Sequence, residues 1–556
     1  LKERLSRLQG SDDPQDIRGF ATVSGIVSTR PEMIKELDRN IPQLSIITTK
    51  SYQLLPNPGN REPIIVETAP GCFGNAVGLK NPGMEIGLKE LSEMLARHRM
   101  RSILNVSLSG STPEEFARLA EGFSRVADTL ELNFSCPHAE PGYGMSIGVD
   151  PELVFRYMQA VRSVTDLPLL PKMTPNVEDI GEVAVAAMEG GADGIVAINT
   201  VGPELYIEPH SNKPILMNVH GGKGGKSGRW VHETALEKVR RIRQSIGEEA
   251  LIIGMGGVES SSTVSAMRTA GADIIGIGSA FALVRKPQWR QWFDALAQGL
   301  DTTRGPAQGL AQSTTRESTL GPAQKSTQVR TQPTSRGHTD IQEDDPASQF
   351  LETKRQMEYK PFRIVSTEEG AGGLRRISLE GSFTYEAGQF AFIWLPEIGE
   401  KPFSVALADP LTFLIRERGP MTHALCEKKV GDTIYIRGIY GQGAEIAPVP
   451  HAWIVAGGTG LAVAPKLAES LSAAKKHVTT YIALADGSAD GITDSTTNAA
   501  ADDSTGEETH SSVLFTKELA SAGRYRVVAD DGEIGRAVRV CEEEIRSEGT
   551  AEQSAL

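Results

Sequence analysis

The sequence predicts an α/β protein with three folded units: a (β/α)8 TIM barrel over residues 1–300, a small antiparallel β-barrel over 350–450, and an α/β nucleotide-binding-type lobe over 451–556. Three observations carry this prediction. Short β-rich apolar runs alternate with helix-like segments through residues 20–300, which implies a parallel sheet covered by helices. Residues 350–450 instead carry strands separated by turn signals (FRIVS, LRRISLE, FAFIWLP, TFLIRE, DTIYIRG), the pattern of a small antiparallel barrel. From His451 the βα pattern returns, with HAWIVAGGTGLAVAPKLAESL reading as strand, glycine turn and helix.

In the first unit the expected strands are SIITTK, SILNVSLS, LELNFSC, LPLLPKM, GIVAINT, LIIGMGG and IIGIGS, and segments such as PELVFRYMQAVRSV and EDIGEVAVAAMEGGA supply the helices between them. A unit of this length suits closure into a barrel better than an open sheet. Lys50, Asn105, Asn133, Cys136, Lys172 and Asn199 each stand at or just past the end of an apolar strand. In a barrel those ends form the catalytic face. Two stretches break the pattern. Residues 301–349 are rich in Ser, Thr, Gln, Pro and Gly, repeat GPAQ at Gly305 and Gly321, and are expected to be an unstructured linker. Residues 486–512 are acidic, small and polar, and are expected to be a disordered insertion within the last unit.

Composition narrows the function classes. With 57 Lys+Arg against 71 Asp+Glu the formal charge is −14, which argues against nucleic acid or an anionic membrane as principal partner. No apolar run is long enough to span a bilayer, and the charged opening LKERLSRLQGSDDPQD lacks a signal peptide's apolar core, so a cytoplasmic protein is expected. The four cysteines (Cys72, Cys136, Cys426, Cys541) have no C-x-x-C spacing, so no metal or disulfide framework is read from them.

Several residues carry chemistry, each with an alternative reading. The loops GMGG (Gly254, Gly256, Gly257) and GIGS (Gly278, Ser279) follow the last two expected strands, read as strands seven and eight of the barrel, where bare backbone N–H groups can approach a phosphate; tight βα turns without ligand are the alternative. Lys172 at the end of LPLLPK could counter charge on a reduced flavin, or could be a surface residue. Asn133 and Asn199 offer amides for a planar imide-like ring, and Cys136 offers a thiol able to take a carbon-bound proton or to be an inert core residue. Lys50 suits a substrate carboxylate or a solvated strand end.

With these residues in place, residues 20–290 resemble a class 1 dihydroorotate dehydrogenase, an FMN enzyme of pyrimidine synthesis. TVSGIVS, TTKS, GNAVGLKNPG, ILNVS, ELNFSCPH, PKMTPN, AINT, GGKSG, GMGG and IGSA occur in family order. The resemblance implies FMN at Ser24, Lys50, Ser51, Asn105, Asn133, Lys172, Ile198, Gly228, Gly256, Gly257, Gly278 and Ser279. It places dihydroorotate on Lys50, Asn75, Ala76, Val77, Gly78, Leu79, Asn133, Asn199 and Thr200, with Cys136 as general base, and implies a homodimer through the barrel. His138 stands where the family usually has Asn, as in the related barrel of dihydropyrimidine dehydrogenases, and Arg229 and Trp230 stand where Pro and Ala are frequent.

The second half resembles the electron-transfer subunit that partners class 1B enzymes, a ferredoxin-reductase-like module, through AGQF, KPFS, IRERGPMT, RGIYGQG and AGGTGLAVAP. This implies FAD at Lys401, Pro402, Phe403, Ser404, Leu414, Ile415, Arg416, Met421 and Thr422, and NAD at the Gly457, Gly458, Gly460 turn. Lys401 replaces the usual Arg and loses its bidentate fork. The family's four-cysteine [2Fe–2S] segment has no counterpart, since only Cys541 lies nearby, so no iron–sulfur cluster and no metal are expected on this chain. The implied function is oxidation of dihydroorotate to orotate, with electrons passed from FMN to the C-terminal module. A dihydropyrimidine dehydrogenase-like enzyme, and a C-terminal half that only docks a separate redox partner, remain as alternatives.

Overall fold

The computed structural model describes residues 3, 5, 18–134, 145–302, 345–351, 357–446, 450–485, 513–530, 537–543 and 545–546. Cys136, His138, most of the expected linker and the acidic insertion 486–512 lie outside these residues. The chain divides into two compact units, the first made of residues 1–206 and 214–355 and the second of 207–213 and 356–556.

The first unit is the expected barrel. Eight strands, β1 (Phe20–Thr22), β2 (Leu44–Thr48), β5 (Ile103–Leu108), β6 (Thr129–Asn133), β7 (Leu169–Lys172), β8 (Gly194–Ala197), β13 (Leu251–Met255) and β14 (Ile274–Ile277), close in parallel, with β1 between β14 and β2. Seven of them are the apolar runs read from sequence; the eighth, β1, is three residues long, too short to announce itself. Ala21, Ile46, Ile103, Leu170, Val196, Leu251, Ile253 and Ile274 meet in one buried cluster inside the barrel, joined by Leu5. The registers Asn105↔Thr129, Ser107↔Glu131, Glu131↔Leu170 and Asn133↔Lys172 put the polar residues on the same inward side, nearer the C-terminal strand ends. An apolar floor therefore carries a polar layer at the mouth, because inward side chains alternate with outward ones along each strand.

A four-stranded sheet absent from the sequence prediction is built into the same face. Its members, in the order β3 (Ile65–Ala69), β4 (Cys72–Asn75), β12 (Lys223–Gly228), β9 (Val201–Leu205), arise in the loops that follow β2 and β8. A short ladder pairs β10 (Ile207–Glu208) with β11 (Lys213–Pro214). The end of the composition-defined linker is also structured: Asp345 accepts hydrogen bonds from the Ser261 and Ser262 N–H groups and the Ser261 hydroxyl, holding the first turn of helix Ser261–Thr269.

The second unit contains a closed six-stranded antiparallel barrel in the order β15 (Lys360–Gly370), β16 (Leu374–Leu379), β19 (Leu411–Arg416), β18 (Gly399–Ala408), β17 (Phe390–Leu395), β20 (Thr433–Tyr440). Sequence reading found five of these; β18 was hidden by its Glu-Lys-Pro segment, Pro being a poor strand residue. A parallel three-stranded sheet of β21 (His451–Gly457), β22 (His477–Ala485) and β23 (Arg524–Asp530) follows, with the glycine turn after β21 leading through a 3-10 segment into helix Ala464–Ala473. Among the described residues no helix is long and apolar enough to cross a membrane.

Candidate functional site

The strand ends gather the expected residues at the barrel mouth. Lys172 is almost wholly buried, and its ammonium donates to Ser24 Oγ at 3.2 Å. No carboxylate pairs with it among the described residues. A buried cation without an anion is costly, so the site suits a ligand that brings negative charge. Lys50, just past β2, is half-buried; burial pushes its ammonium below the usual lysine range, with Lys80 adding to this and Glu90 opposing it.

Asn105 and Asn133 are buried on adjacent strands. The Asn105 amide donates to Thr48 Oγ1 (3.1 Å) and accepts from Thr129 Oγ1 (2.8 Å). Asn133 Nδ2 donates to Ser51 Oγ at 3.0 Å, and Ser51 Oγ lies 2.9 Å from Ser107 Oγ. After β8, Ile198 N–H bonds to Met255 O and Asn199 N–H to Met173 O, while Asn199 Oδ1 accepts from Thr200 N–H. Asn176 fixes this loop, donating to Thr200 O and accepting from Gly202 N–H.

The residues 75–79 form a sharp turn in which Gly78 and Leu79 both take positive φ (74° and 56°). That conformation is rare for a bulky residue, and two asparagines outside the expected set hold it. Asn60 Nδ2 donates to Ala76 O and its N–H to Val77 O. Asn81 Nδ2 donates to Leu79 O and Gln53 Oε1, while its Oδ1 accepts from Gln53 and Gly83 N–H groups. Asn75 Nδ2 ties the turn to Gly225 O across the mouth sheet.

The glycines have a packing reason as well as a ligand reason. A Cβ on Gly228 (φ +91°) would lie 2.0 Å from Gly71 O; on Gly256, 2.7 Å from Ala235 Cβ; on Gly257, 2.8 Å from Gly228 O; on Gly278, 2.9 Å from a Val23 methyl. These loops are glycine-lined because they lie against one another. Their backbone donors remain open: among the described residues the N–H groups of Gly257, Gly278 and Ser279 reach no protein acceptor, an arrangement that fits a phosphate at the ends of β13 and β14. Near them Arg229 donates to the buried Glu259, whose carboxyl is pushed up by burial against the opposing pull of that guanidinium. Arg229 and Trp230, two of the residues that depart from the resemblance, thus have internal roles, since Trp230 Nε1 donates to Ser227 O.

In the second unit the expected residues are dispersed in character. Lys401 and Pro402 are exposed and Phe403 and Ser404 half-buried on β18. Leu414 and Ile415 are buried in two different apolar clusters, so only their backbone is available to a ligand. Met421 is buried, and the Thr422 hydroxyl is engaged with the Arg418 and Gly419 N–H groups. Arg416 is the open member: its Nε is buried without a hydrogen-bond partner, and its guanidinium lies within 3.5 Å of where a Gly458 Cβ would stand. That places an unsatisfied cation beside the Gly457–Gly460 turn.

Comparison with known proteins agrees with the barrel. Residues 19–300 match the family Dihydroorotate dehydrogenase. A Pyrococcus abyssi protein named "Dihydroorotate dehydrogenase B (NAD(+)), catalytic subunit" is 42% identical over 260 residues, 47% of this chain and 82% of the relative. Proteins of the same name from Methanothermobacter thermautotrophicus (41% over 234 residues, 42% of this chain and 74% of the relative) and Streptococcus pneumoniae strain R6 (36% over 279 residues, 50% and 86%) are similar too.

Proposed function

The chain belongs to the dihydroorotate dehydrogenase family, and from that premise we propose that it is a fused flavoprotein whose barrel oxidises dihydroorotate to orotate and whose C-terminal module, holding FAD, passes the electrons to NAD. The barrel is an oxidoreductase of the class 1B catalytic-subunit type. The carrying observation is the buried Lys172 ammonium, with no carboxylate partner among the described residues, at the mouth of a barrel whose loops after β13 and β14 keep open backbone donors and whose residues 19–300 match the family.

FMN would be held by Ser24, Lys50, Ser51, Asn105, Asn133, Lys172, Ile198 and the Gly228, Gly256–Gly257 and Gly278–Ser279 loops. When bound it supplies the hydride acceptor for the C6 hydrogen of dihydroorotate. Cys136 takes the C5 proton, and loss of both hydrogens leaves the C5=C6 double bond of orotate. Lys50 pairs with the substrate carboxylate, and the 75–79 turn, Asn133, Asn199 and Thr200 hold the ring so that the C5 proton faces the thiol. Lys172 balances negative charge arising beside it.

For the second unit, Arg416 beside the glycine turn supports dinucleotide binding. A docking module without FAD is the competing reading, favoured by exposed Lys401 and the engaged Thr422 hydroxyl. Anaerobic dihydroorotate should bleach the bound flavin while dihydrouracil leaves it yellow; the reverse would assign the dihydropyrimidine reading. Acid release should yield FMN and FAD in equal amounts, and FMN alone would favour docking. Cys136→Ala should keep its colour and lose most turnover at neutral pH; unchanged turnover would remove Cys136 from the reaction.

A further inference from the structure

Glu131 is a buried carboxylate at the barrel mouth with no part in the chemistry above, 1% exposed on β6 between Leu130 and Leu132. Its Oε1 accepts a hydrogen bond from Ser107 Oγ at 2.9 Å; Ser107 Oγ lies 2.9 Å from Ser51 Oγ; and Ser51 Oγ accepts from Asn133 Nδ2 at 3.0 Å. The chain of contacts crosses from β6 to β5, to the segment after β2, and back to the end of β6.

We propose that Glu131 is a positioning residue that fixes which end of the Asn133 amide is presented to the substrate ring, by forcing a single direction on the hydrogen bonds through Ser107 and Ser51. A carboxylate accepts and does not donate, and a serine hydroxyl has one hydrogen. Ser107 spends its hydrogen on Glu131 and can only accept from Ser51. Ser51 then spends its hydrogen on Ser107 and can only accept from Asn133. The amide must therefore turn Nδ2 toward Ser51, with Oδ1 on the other side. Without the carboxylate every link in this chain is reversible, since each hydroxyl both donates and accepts, and the chain no longer selects one end of the amide. A flipped amide sets a donor against a donor of the ring, the mismatch that polar sites reject most strongly. The inference rests on the reading of Asn133 as a ring contact.

The test uses the full-length holoenzyme. Joint X-ray and neutron diffraction should place the Ser107 deuterium toward Glu131 and the Ser51 deuterium toward Ser107; either deuterium turned the other way overturns the proposal, whatever the site binds. In solution, orotate is titrated against the flavin spectrum. Glu131→Leu and Ser107→Ala should each weaken orotate binding about tenfold, and the double variant should be no weaker than either single one, because one broken link already removes the directional constraint on the amide. Glu131→Leu should melt no lower than the parent, since it removes a buried carboxylate in favour of an apolar side chain. Losses that multiply in the double variant, affinities within twofold of the parent, or weak binding accompanied by a lowered melting temperature would each overturn the polarity argument. A parent enzyme that ignores orotate would sink the proposed function, while the deuterium positions would still decide the direction of the chain.

Discussion

Arg243→Met tests whether the two ends of the barrel do different work. Arg243 and Asp273 are 1% and 2% exposed and meet at 2.7 Å. The guanidinium also donates to Gly271 O (3.0 Å), Gly247 O (2.6 Å) and Ala250 O (2.8 Å), and Asp273 Oδ2 accepts from Ile252 N–H. These contacts gather the chain where β13 and β14 begin, the end opposite the mouth. Removing one partner of a buried pair strands the other charge and costs about 3–5 kcal/mol. At roughly 2 °C per kcal/mol for a unit of this size, Tm should fall by about 6–10 °C. Arg243→Met/Asp273→Leu should recover about half of that loss, because no stranded carboxylate remains. Thermal melts followed by circular dichroism read the stability; flavin content and steady-state kinetics at a temperature where each variant is folded read the site. Unchanged kcat and KM are expected throughout. A single variant that melts like the parent, a double variant as unstable as the sum of both singles, or lost turnover in a fully folded variant would refute the division of labour.

Lys172→Met removes a buried ammonium, so Tm should hold or rise while turnover falls about 100-fold or more; a stopped-flow assay beside a melt separates the two. Gly228→Ala would force a Cβ to 2.0 Å from Gly71 O at φ +91°, opening the β12–β4 pairing at a cost of about 2 kcal/mol or more, with lower flavin retention after gel filtration. Arg437→Met should destabilise the second unit by about 3–5 kcal/mol, because Arg437 grips the buried Glu400 through two hydrogen bonds (2.9 and 2.6 Å); separate melting of the two units would show it. Burial raises the Asp345 carboxyl, but donors from Ser262, Ala347 and Ser261 outweigh that and hold it below the usual range. Its contribution is therefore present above the ordinary carboxylate range and is lost as pH falls through the lowered value, so the Tm gap between parent and Asp345→Ala should close on acidification.

Parallel barrel strands are covered on both faces, so they read as continuous apolar runs, and seven of the eight were legible for that reason. The mouth sheet was not: Val201–Leu205 is largely exposed and Lys223–Gly228 is half glycine, neither of which resembles a buried strand. Strand-end polar residues such as Lys172, Asn133 and Asn199 stood out because they interrupt apolar runs. Glu131 interrupts one too, but its significance depends on Ser107, 24 residues away, and on Ser51, a further 56 residues from Ser107. Asn60 gave no signal, and Asn81 and Asn176, although inside the segments GNAVGLKNPG and PKMTPN, were not singled out, since an asparagine that holds a turn looks in sequence like any loop asparagine.

Hydrogen-bond satisfaction sorts the residues that family resemblance assigned as a group. Asn105 has both ends of its amide engaged by Thr48 and Thr129, and Thr422 has its hydroxyl engaged by the turn before its helix. Such groups shape a site, and whatever further contact they make is secondary. Lys172, the N–H groups of Gly257, Gly278 and Ser279, and Arg416 Nε have capacity that the described protein does not use. Leaving a buried polar group without a partner costs about 1–3 kcal/mol, so open capacity of this kind favours a bound anion or polar ring. By this criterion, among the residues proposed to bind ligand, Lys172 and the last two strand ends rank first in the barrel, and Arg416 ranks ahead of the Lys401–Ser404 segment in the second unit.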